Sequence, residues 1–448
     1  MKFENRKDNR LKIISLGGFG NVTQNLYVYE FKDNILVVDC GIGFIEGGFK
    51  KTKLIVPDVN YLLQNQGKIK GIILTHGHED HIGGLPFLLP KLRRGIPIYG
   101  SRLTAALAEE KLGEYNLSHR INVLDSDSKL NLGPFSLEFI YITHSVPDTF
   151  HLLIQTSIGV IYHGADFKFD WTPVMGQQTE VGKIALAGNQ GVTLLVSDCL
   201  RSEKAGYTLS EQMIEDSFER EIKDCQGKFF VTTMSSNVSR WQQAINIAVA
   251  HQRKIALVGR SVEKIINIAA RLGYLQIPKG IIVPVKKTKH LKPNEIAFLI
   301  AGSQAQSGSA LDKITAGELN DVKVEVGDKV VFSTDYIPGN EVAIHRLIDK
   351  LSYLGADVSY SEILDDLHVS GHGGQSDLAL MIGLTQPIYL LPIGGAFRQM
   401  KQYALLAQKM GYSAEKILLP QKNQTVEMIP GGQVRLGQKI PLHPKFIV

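Results

Sequence analysis

The stretch that decides the fold reads Ile73-Leu74-Thr75-His76-Gly77-His78-Glu79-Asp80-His81-Ile82-Gly83-Gly84. It places three histidines and one aspartate within six residues, directly after an apolar run that predicts a buried strand. Imidazole nitrogens and a carboxylate oxygen at a strand end can meet at one point, and these donors suit zinc or another divalent transition metal. An ordinary polar loop is the alternative, but it does not explain four ligand-type residues at this spacing. The stretch therefore predicts a metal site.

The composition of the whole chain predicts a globular α/β protein of two or three domains. The chain has 448 residues, of which 44% are hydrophobic and 21% charged, and its net charge of +5 permits an anionic partner. No apolar run is long enough to span a membrane, and the charged residues 1–7 do not resemble a secretory signal. Only Cys40, Cys199 and Cys225 occur, without Cys-x-x-Cys spacing, so we expect a protein of the reducing cytoplasm.

Further ligand-type residues follow predicted strands in the first 200 residues. They are Asp39 at the end of residues 34–39, His144 after residues 135–142, Asp166 after residues 160–163, and Asp198 in residues 194–199. Each of them alone is more typical of a satisfied polar group at a strand end than of a ligand. The glycine cluster of residues 17–21 is a weak match to a dinucleotide loop, because the strand-like residues 25–31 that follow favour a hairpin.

The organisation changes near residue 206, where strands begin to alternate with helices. Residues 208–211 have the spacing of a helix capping box, and Ile214, Phe218 and Ile222 fall on one helical face. Alternating elements as far as residue 354 predict a parallel sheet covered by helices. A strand, a helix and a last strand are predicted over residues 388–393, 397–410 and 417–420.

The pattern His-x-His-x-Asp-His-x-Gly-Gly resembles the signature of the metallo-β-lactamase superfamily. The longer sequence of residues 75–89 resembles the ribonuclease J family of its β-CASP nuclease branch. Three later segments, residues 234–237, 302–304 and 337–340, resemble the β-CASP insertion. The resemblance implies an α/β fold, namely an αββα metallo-β-lactamase sandwich with an inserted β-CASP α/β domain. The implied boundaries are residues 1–206 and 358–448 for the metallo-β-lactamase domain and residues 207–357 for the β-CASP domain.

The same resemblance implies which residues bind metal. One ion takes His76, His78 and His144, a second takes Asp80 and His81, and Asp166 lies between the two ions. Asp39 would support the metal loop without binding metal itself. The implied cofactor is a pair of Zn²⁺ ions, with Mn²⁺ or Mg²⁺ as alternatives, and two such ions can clamp the attacking and leaving oxygens of a phosphodiester.

Two further motifs of the family occur in the chain. Asp198 matches motif A and His372 matches motif B, and the resemblance gives both residues a proton-handling or orienting role in catalysis. The turn His368-Val369-Ser370-Gly371-His372 precedes a helix predicted from Gln375, where small residues and backbone amides can bind a phosphate. A glycine-rich turn with two incidental histidines is the alternative for this segment.

The sequence departs from the family at two places. After the strand of residues 388–393 the family has a histidine that completes the second metal site, whereas this chain has Gly394-Gly395-Ala396. Glycine cannot bind metal through a side chain, so the second site is expected to be weakened. DNA-directed members of the branch also lack this histidine, and its loss does not exclude nuclease activity. The chain is also expected to lack the family's additional C-terminal domain, because it stops at Val448.

The implied activity is zinc-dependent hydrolysis of RNA by a 5′→3′ exonuclease with endonuclease activity, in rRNA processing and mRNA decay. The expected partner is single-stranded RNA with a 5′-monophosphate, and the chain is expected to form a homodimer or to pair with a paralogous ribonuclease J. A degenerate subunit that binds RNA or a partner nuclease with little or no activity is one alternative, favoured by Gly394 and Ala396. A DNA nuclease is disfavoured by the close match to ribonuclease J. A small-substrate hydrolase would leave the insertion and the turn at residues 368–372 without a purpose.

Overall fold

The computed structural model describes residues 9–43, 54–336, 340–443 and 445–447. Residues 337–339, which belong to the third β-CASP-like segment, lie outside these ranges. Within them, two large sheets pack face to face, helices cover their outer faces, and a third sheet with its own helices is inserted into the chain. The apolar core between the two large sheets includes the buried side chains of Leu36, Phe139 and Val196.

The first sheet carries the metal-ligand stretch. In spatial order, its strands in the described chain are Val434–Lys439, Gln424–Met428, Leu11–Ser15, Tyr27–Phe31, Asn34–Val38, Ile69–Leu74, Ile98–Gly100 and Asn122–Val123. Strands Asn34–Val38 and Ile69–Leu74 run parallel, with Val38 opposite Ile73. Asp39 and Thr75 therefore leave the sheet side by side.

The second sheet supplies the later ligand-type residues. In spatial order, its strands in the described chain are Tyr389–Ile393, Leu194–Asp198, Gly159–Gly164, Thr149–Thr156, Phe135–Ile142 and Lys129–Leu132. Strand Tyr389–Ile393 runs parallel to Leu194–Asp198, with Ile393 opposite Asp198. The chain therefore leaves this sheet after Asp198, builds the third sheet, and returns beside the strand that it left.

The third sheet lies in the segment between these two strands, and the predicted parallel arrangement is confirmed. Its strands in the described chain are, in spatial order, Lys254–Val258, Ile296–Ile300, Phe229–Thr232, Lys329–Phe332 and Asp357–Ser359. The rings of Phe230 and Phe298 on neighbouring strands stack with their centroids 4.9 Å apart. Strands that are buried on both faces account for the nearly continuous apolar runs in this part of the sequence. A short ladder elsewhere pairs Leu54–Val56 with Lys445–Ile447.

Helices cover all three large sheets. The α-helices of the described chain are Asn60–Gln64, Glu79–Ile82, Leu85–Leu88, Arg102–Glu114, Val181–Asn189, Met213–Lys223, Val238–Ala250, Arg260–Arg271, Ala310–Thr315, Glu341–Tyr353, Gln375–Thr385 and Phe397–Lys409. Short 3₁₀ turns lie at Gln66–Lys68, Leu89–Lys91, Val285–His290, Pro293–Glu295, Asp365–Leu367 and Ala414–Lys416. Helix Arg260–Arg271 shows why such segments are helical, since Val262, Ile266 and Ala269 form one buried face. None of the helices that the structure describes could cross a membrane.

Two local predictions are wrong. The capping box expected at residues 208–211 does not form, although helix Met213–Lys223 follows with Ile214, Phe218 and Ile222 on its buried face as predicted. Thr208 instead donates its hydroxyl proton to the carbonyl oxygen of His372 and accepts from the amide of Gly374. Residues 417–420 do not form a strand, because Ile417 makes a single bridge to Leu390 and the chain then turns away.

Buried charges join the inserted domain to the two large sheets. The carboxylate of Glu211 accepts from Lys168 Nζ at 3.2 Å and from Arg240 Nη2 at 2.7 Å. Arg240 also donates to the carbonyl oxygen of Leu367. Burial raises the pKa of Glu211, but the two cations outweigh it and lower the pKa from 4.5 to about 2. The ion pairs therefore contribute stability above pH 4.5, and this stability is lost as the pH falls towards 2.

Replacement of Glu211 by alanine leaves the buried ammonium of Lys168 and the guanidinium of Arg240 without their counter-ion. We expect Glu211→Ala to lower the free energy of unfolding by about 3–5 kcal/mol. Urea unfolding followed through the fluorescence of the buried Trp241 measures this loss. Glu318→Ala at an exposed position is the control and should stay within about 0.5 kcal/mol of the unaltered chain. Equal losses in the two variants would contradict a stabilising network.

Candidate metal centre

The predicted metal ligands meet where strands of the two large sheets end. His76, His78, Asp80 and His81 follow strand Ile69–Leu74 of the first sheet; His144 and Asp166 follow strands Phe135–Ile142 and Gly159–Gly164 of the second. The chain runs the same way in all three strands as they approach this edge, so that loops from both sheets converge there. The carboxylate of Asp166 belongs to both candidate ligand sets.

The first set consists of His76, His78, His144 and Asp166. Nδ1 of His78 lies 3.0 Å from Nε2 of His76 and 3.2 Å from Nε2 of His144. Oδ2 of Asp166 lies 3.7 Å from Nε2 of His76 and 4.0 Å from Nε2 of His144. Ligands bonded to one tetrahedral zinc ion at about 2.0–2.2 Å are separated by roughly 3.3–3.6 Å. Three imidazole nitrogens and one carboxylate oxygen at these separations fit a zinc ion.

A hydrogen bond at the ring nitrogen that faces away from the centre fixes two of the histidine rings in this set. Nδ1 of His76 lies 3.1 Å from the hydroxyl of Thr75, and Nδ1 of His144 donates to the carbonyl oxygen of Gly371 at 2.7 Å. A Cβ atom at position 371 would lie only 2.7 Å from Cε1 of His144, so glycine permits this approach. Such outer contacts leave the other ring nitrogen of each histidine free for metal.

The electrostatics of the first set favour neutral rings around one anion. Burial and the neighbouring imidazoles lower the pKa of His76 and of His78 well below the usual value, and the pKa of His144 falls to about 3. Burial raises the pKa of Asp166, but His81 and His372 outweigh it and hold the pKa well below its usual range. Neutral imidazoles keep the lone pairs that a metal ion requires.

The second set consists of Asp80, His81 and Asp166. Nε2 of His81 lies 3.3 Å from Oδ2 of Asp166 and 3.6 Å from Oδ2 of Asp80. Nδ1 of His81 faces Oδ2 of Asp39 at 2.8 Å, and the backbone amide of Thr75 donates to Oδ1 of the same carboxylate at 2.8 Å. Asp39 thus orients a ligand and stands outside the ligand set.

Gly394 lies next to the second set, at the position where the family has a histidine. A Cβ atom there would lie 3.6 Å from Oδ1 of Asp198 and 3.8 Å from Oδ1 of Asp166, so a side chain would point into the centre. The backbone φ of Gly394 is +65°, a conformation that costs other residues about 1–2 kcal/mol. The second set therefore has one protein ligand fewer than the first among these histidines and aspartates.

Asp198 and His372 form a dyad at the edge of the centre. Nδ1 of His372 donates to Oδ2 of Asp198 at 2.7 Å, and Nε2 of His372 lies 3.9 Å from Oδ2 of Asp166. Burial lowers the pKa of His372, but Asp198 and Asp166 outweigh it and raise the pKa to about 9. The dyad places a partly exposed imidazole, whose raised pKa favours the protonated form, beside the ligand cluster.

The turn that includes His368 and Ser370 crosses the same edge, but its amides are used differently from the prediction. The amides of residues 373–376, at the start of helix Gln375–Thr385, all donate to protein groups. The amide of residue 373 donates to Phe167 O, that of residue 374 to Thr208 Oγ1 and Asp377 Oδ2, that of residue 375 to Lys204 O, and that of residue 376 to Gly206 O. They are therefore not free for a phosphate, whereas phosphate binding by the turn at residues 368–372 stays a prediction. Val369 is buried in the core. Ser370 is partly exposed, and its Oγ accepts from the amide of His372 at 3.1 Å.

A cleft with a volume of about 890 Å³ extends from the metal-ligand loop to the third sheet. Gly77 and Glu79 line one end, and the carboxyl ends of parallel strands line the other through residues such as Ser235 and Gly302. The carboxyl ends of strands in an open parallel sheet are the usual place for ligands. Charged side chains along the cleft are the cationic Lys111, Arg260, Lys264 and Lys313 and the anionic Glu79, Glu110 and Glu114, and Lys111 pairs with Glu79 as Lys264 does with Glu110.

Two polar residues at the centre were not predicted from the sequence. The hydroxyl of Ser145 lies 3.3 Å from Nε2 of His78, and the side chain of Asn25 contacts both Asp80 and His81. Ser145 adjoins a predicted ligand and could have been inferred from that position. Asn25 comes from the hairpin at the start of the chain, and no spacing pattern connects it with residues 80 and 81.

The chain matches three described families. Residues 19–162 match the family described as "Metallo-beta-lactamase superfamily", and residues 226–351 match "Ribonuclease J, beta-CASP domain". Residues 361–420 match "Zn-dependent metallo-hydrolase RNA specificity domain". The three matches follow one another along the chain in the order that the fold requires.

Curated relatives match nearly the whole chain. Ribonuclease J of Synechocystis sp. is 37% identical over 98% of this chain and 68% of its own length. Ribonuclease J of Thermus thermophilus is 40% identical over 92% of this chain and 73% of its own length. Ribonuclease J2 of Bacillus subtilis is 35% identical over 98% of this chain and 79% of its own length. A solved structure of a protein of unknown function from Enterococcus faecalis shares the fold, with a TM-score of 0.62 at 13% identity over 93% of this chain and all of that chain.

Replacement of His78 tests the first ligand set. His78 contacts both other imidazoles of the set, so His78→Ala should remove most of the tightly bound metal and all hydrolytic activity. Metal analysis of the purified protein measures the loss. His290→Ala, at an exposed histidine of the inserted domain, is the matched control and should keep its metal. Unchanged metal content in His78→Ala would rule out the assignment.

Replacement of Gly394 tests the second ligand set. We expect Gly394→His to bring a nitrogen towards Asp166 and to raise the metal content towards two ions per chain at limiting metal. The positive φ should at the same time lower the free energy of unfolding by about 1–2 kcal/mol. Gly394→Ala carries the same strain without a ligand and is the control. Two tightly held ions in the unaltered chain would contradict a weakened second site.

Proposed function

This chain belongs to the ribonuclease J family, and on that premise we propose that it is a zinc-dependent 5′→3′ exoribonuclease with additional endonuclease activity. Membership carries metal-dependent hydrolysis of phosphodiester bonds in RNA. The identity of the metal, the direction of degradation and the preference for one kind of RNA end are our inference from the site.

The observation that carries the proposal is the Asp198–His372 dyad beside two ligand sets that share Asp166. A small-substrate hydrolase has no need of a proton-bearing imidazole together with a cleft of about 890 Å³ that extends from the metal-ligand loop. An RNA strand uses both, because it is long and its leaving oxygen must take up a proton.

Each group of the centre has a distinct role. When bound, zinc ions supply Lewis-acid activation of a phosphoryl oxygen and of the attacking water. Asp198 holds the imidazole of His372 in place through Nδ1, and His372 holds a proton at Nε2, 3.9 Å from Asp166. In that position the proton of Nε2 can pass to the leaving oxygen of the RNA.

The cleft supports a single-stranded substrate. Lys111, Arg260, Lys264 and Lys313 line it, Lys111 and Lys264 being paired with glutamates of the same cleft, and a flexible strand of phosphates can follow such a groove. Ser370 and His372 belong to the turn that we propose for terminal-phosphate binding, through their hydroxyl and imidazole groups. Because the helix-start amides are occupied, this phosphate contact rests on side chains.

A second candidate function is favoured by one observation. Gly394 leaves the second ligand set incomplete, and this favours a subunit that binds RNA and cuts it slowly. Purified protein incubated with 5′-monophosphorylated, labelled RNA, with metal analysis of the same sample, decides between the two. Turnover above that of His78→Ala supports the nuclease, whereas RNA binding without turnover supports the binding subunit.

The RNA end is the subject of a separate prediction. RNA with a 5′-monophosphate should be degraded faster than RNA with a 5′-triphosphate or a 5′-hydroxyl, because the turn at residues 368–372 is proposed to hold one terminal phosphate. Ser370→Ala should reduce this preference, and rates on the three RNAs measure it.

Ser413→Ala, at an exposed serine far along the chain, is the matched control and should keep the preference. Equal rates on all three ends, together with no effect of Ser370→Ala, would remove the end pocket from the proposal. The nuclease assignment would stand.

A further inference from the structure

The second ligand set lacks a protein ligand at Gly394, and the side chain of Asn25 lies beside it. We propose that Asn25 binds the second metal ion through its side-chain oxygen and makes this site selective for Mn²⁺ or Mg²⁺. The inference rests on the metal centre of the proposed function and does not depend on RNA as the substrate.

Distances place Asn25 among the ligands. Its side-chain nitrogen lies 3.0 Å from Nε2 of His81 and 3.3 Å from Oδ2 of Asp80. The accepted members of the set show similar separations, 3.3 Å from His81 to Asp166 and 3.6 Å from His81 to Asp80. The terminal atom of Asn25 that faces this set is therefore at ligand-to-ligand distance from two members.

Asn25 is also held in place at both ends. Its backbone amide donates to the backbone carbonyl oxygen of Asp80 at 2.9 Å, and its backbone carbonyl oxygen accepts from the backbone amide of Gly41 at 2.9 Å. The residue is 1% exposed, so its side chain has little freedom to leave the centre. The hairpin that carries Asn25 is thus tied to the loop that carries Asp80.

The orientation of the amide depends on its partners. The oxygen and nitrogen of an asparagine side-chain amide are told apart by their hydrogen-bond partners. Here the nitrogen of Asn25 faces His81, and the hydroxyl of Tyr27 donates to the oxygen of Asn25 at 3.0 Å. A cation at the second site uses the lone pair of His81 and Oδ2 of Asp80, which leaves the nitrogen only the carbonyl oxygen of Val22, at 3.5 Å, as an acceptor. Rotation by half a turn directs the oxygen to the cation and the nitrogen to the hydroxyl of Tyr27, which can accept.

Tyr27 is suited to both orientations. Burial raises the pKa of Tyr27 well above its usual value, so the phenol remains neutral and can either donate or accept. Gly18 makes room for it, because a Cβ atom at that position would overlap the hydroxyl oxygen of Tyr27 at 1.9 Å. The glycine cluster at residues 17–21 therefore serves this contact, and no helix follows it that could bind a dinucleotide.

The donors decide which metal the second site prefers. With Asn25 the site has one nitrogen and three oxygens, whereas the first site has three nitrogens and one oxygen. Oxygen-rich sites suit Mn²⁺ and Mg²⁺, and imidazole-rich sites suit zinc. The chain would then hold one zinc ion tightly and one harder ion more weakly.

Titration of the full chain with Mn²⁺ tests the proposal. The protein is stripped with a chelator, loaded with one equivalent of Zn²⁺ and titrated with Mn²⁺ while the electron paramagnetic resonance signal of free Mn²⁺ is recorded. We expect one Mn²⁺ per chain, with affinity reduced roughly 10–100-fold in Asn25→Ala. In Asn25→Asp the affinity should be equal or higher, because a carboxylate can bind the ion.

Asn21→Ala, in the same loop, is the matched control and should bind Mn²⁺ as the unaltered chain does. Unchanged Mn²⁺ affinity in Asn25→Ala would overturn the proposal. Tighter binding would overturn it as well, because it would show that the side-chain amide competes with the metal. Loss of binding in Asn25→Asp as well as in Asn25→Ala would assign Asn25 to hydrogen-bond donation and would also overturn it. Should Asn25→Ala not fold, as judged by circular dichroism, the Asn25→Asp titration decides alone.

The titration uses no RNA, so the two proposals fail separately. Intact Mn²⁺ binding through Asn25 without cleavage of RNA would remove only the proposed ribonuclease activity. Cleavage of RNA with Mn²⁺ binding that is indifferent to Asn25 would remove only the ligand assignment.

Discussion

The parallel pairing of strand Tyr389–Ile393 with strand Leu194–Asp198 is the constraint on which the centre depends. It places Asp198, the turn before helix Gln375–Thr385 and Gly394 beside Asp166, although the whole inserted domain separates them in sequence. Closing so long a loop would be costly for a flexible chain. Here the insertion is folded, and its two ends already touch, since Ser217 donates to the carbonyl oxygen of Asp366 and Arg220 pairs with the same residue.

The inserted domain and the metal centre are coupled through a few polar contacts. The carbonyl oxygen of Gly371 orients the ring of His144, and Asp377 accepts from the amides of Phe169, Thr208 and Gly374. These amides belong to the loop after Asp166, to the crossover into the insertion and to the turn that carries His372. One buried carboxylate therefore fixes three segments that surround the site.

Burial acts in opposite directions on the two kinds of ligand. It keeps the imidazoles of His76, His78 and His144 neutral, and it would also neutralise the carboxylate of Asp166 if no cationic imidazoles stood near. The pKa of Asp80 is raised to about 6, because burial outweighs the nearby imidazole of His81. The first set therefore offers mainly neutral nitrogen donors, and the second set offers mainly oxygen donors. This difference is the physical basis of our proposal that the two sites prefer ions of different hardness.

The sequence alone predicted the strands that end in ligand-type residues, because strand ends are a local property, and its resemblance to the metallo-β-lactamase superfamily predicted the fold class and the first ligand set. It also showed that Gly394 follows the strand after which the family has a metal-binding histidine. Only the tertiary structure decided which polar groups surround these residues. Asn25 reaches Asp80 and His81 because a hairpin from the start of the chain packs against the metal loop, and Glu211 is buried between Lys168 and Arg240, where the sequence predicted a helix cap. The amides at the start of helix Gln375–Thr385 are occupied by segments distant in sequence. Contacts between such segments depend on how the sheets pack, and no local pattern of residues encodes them.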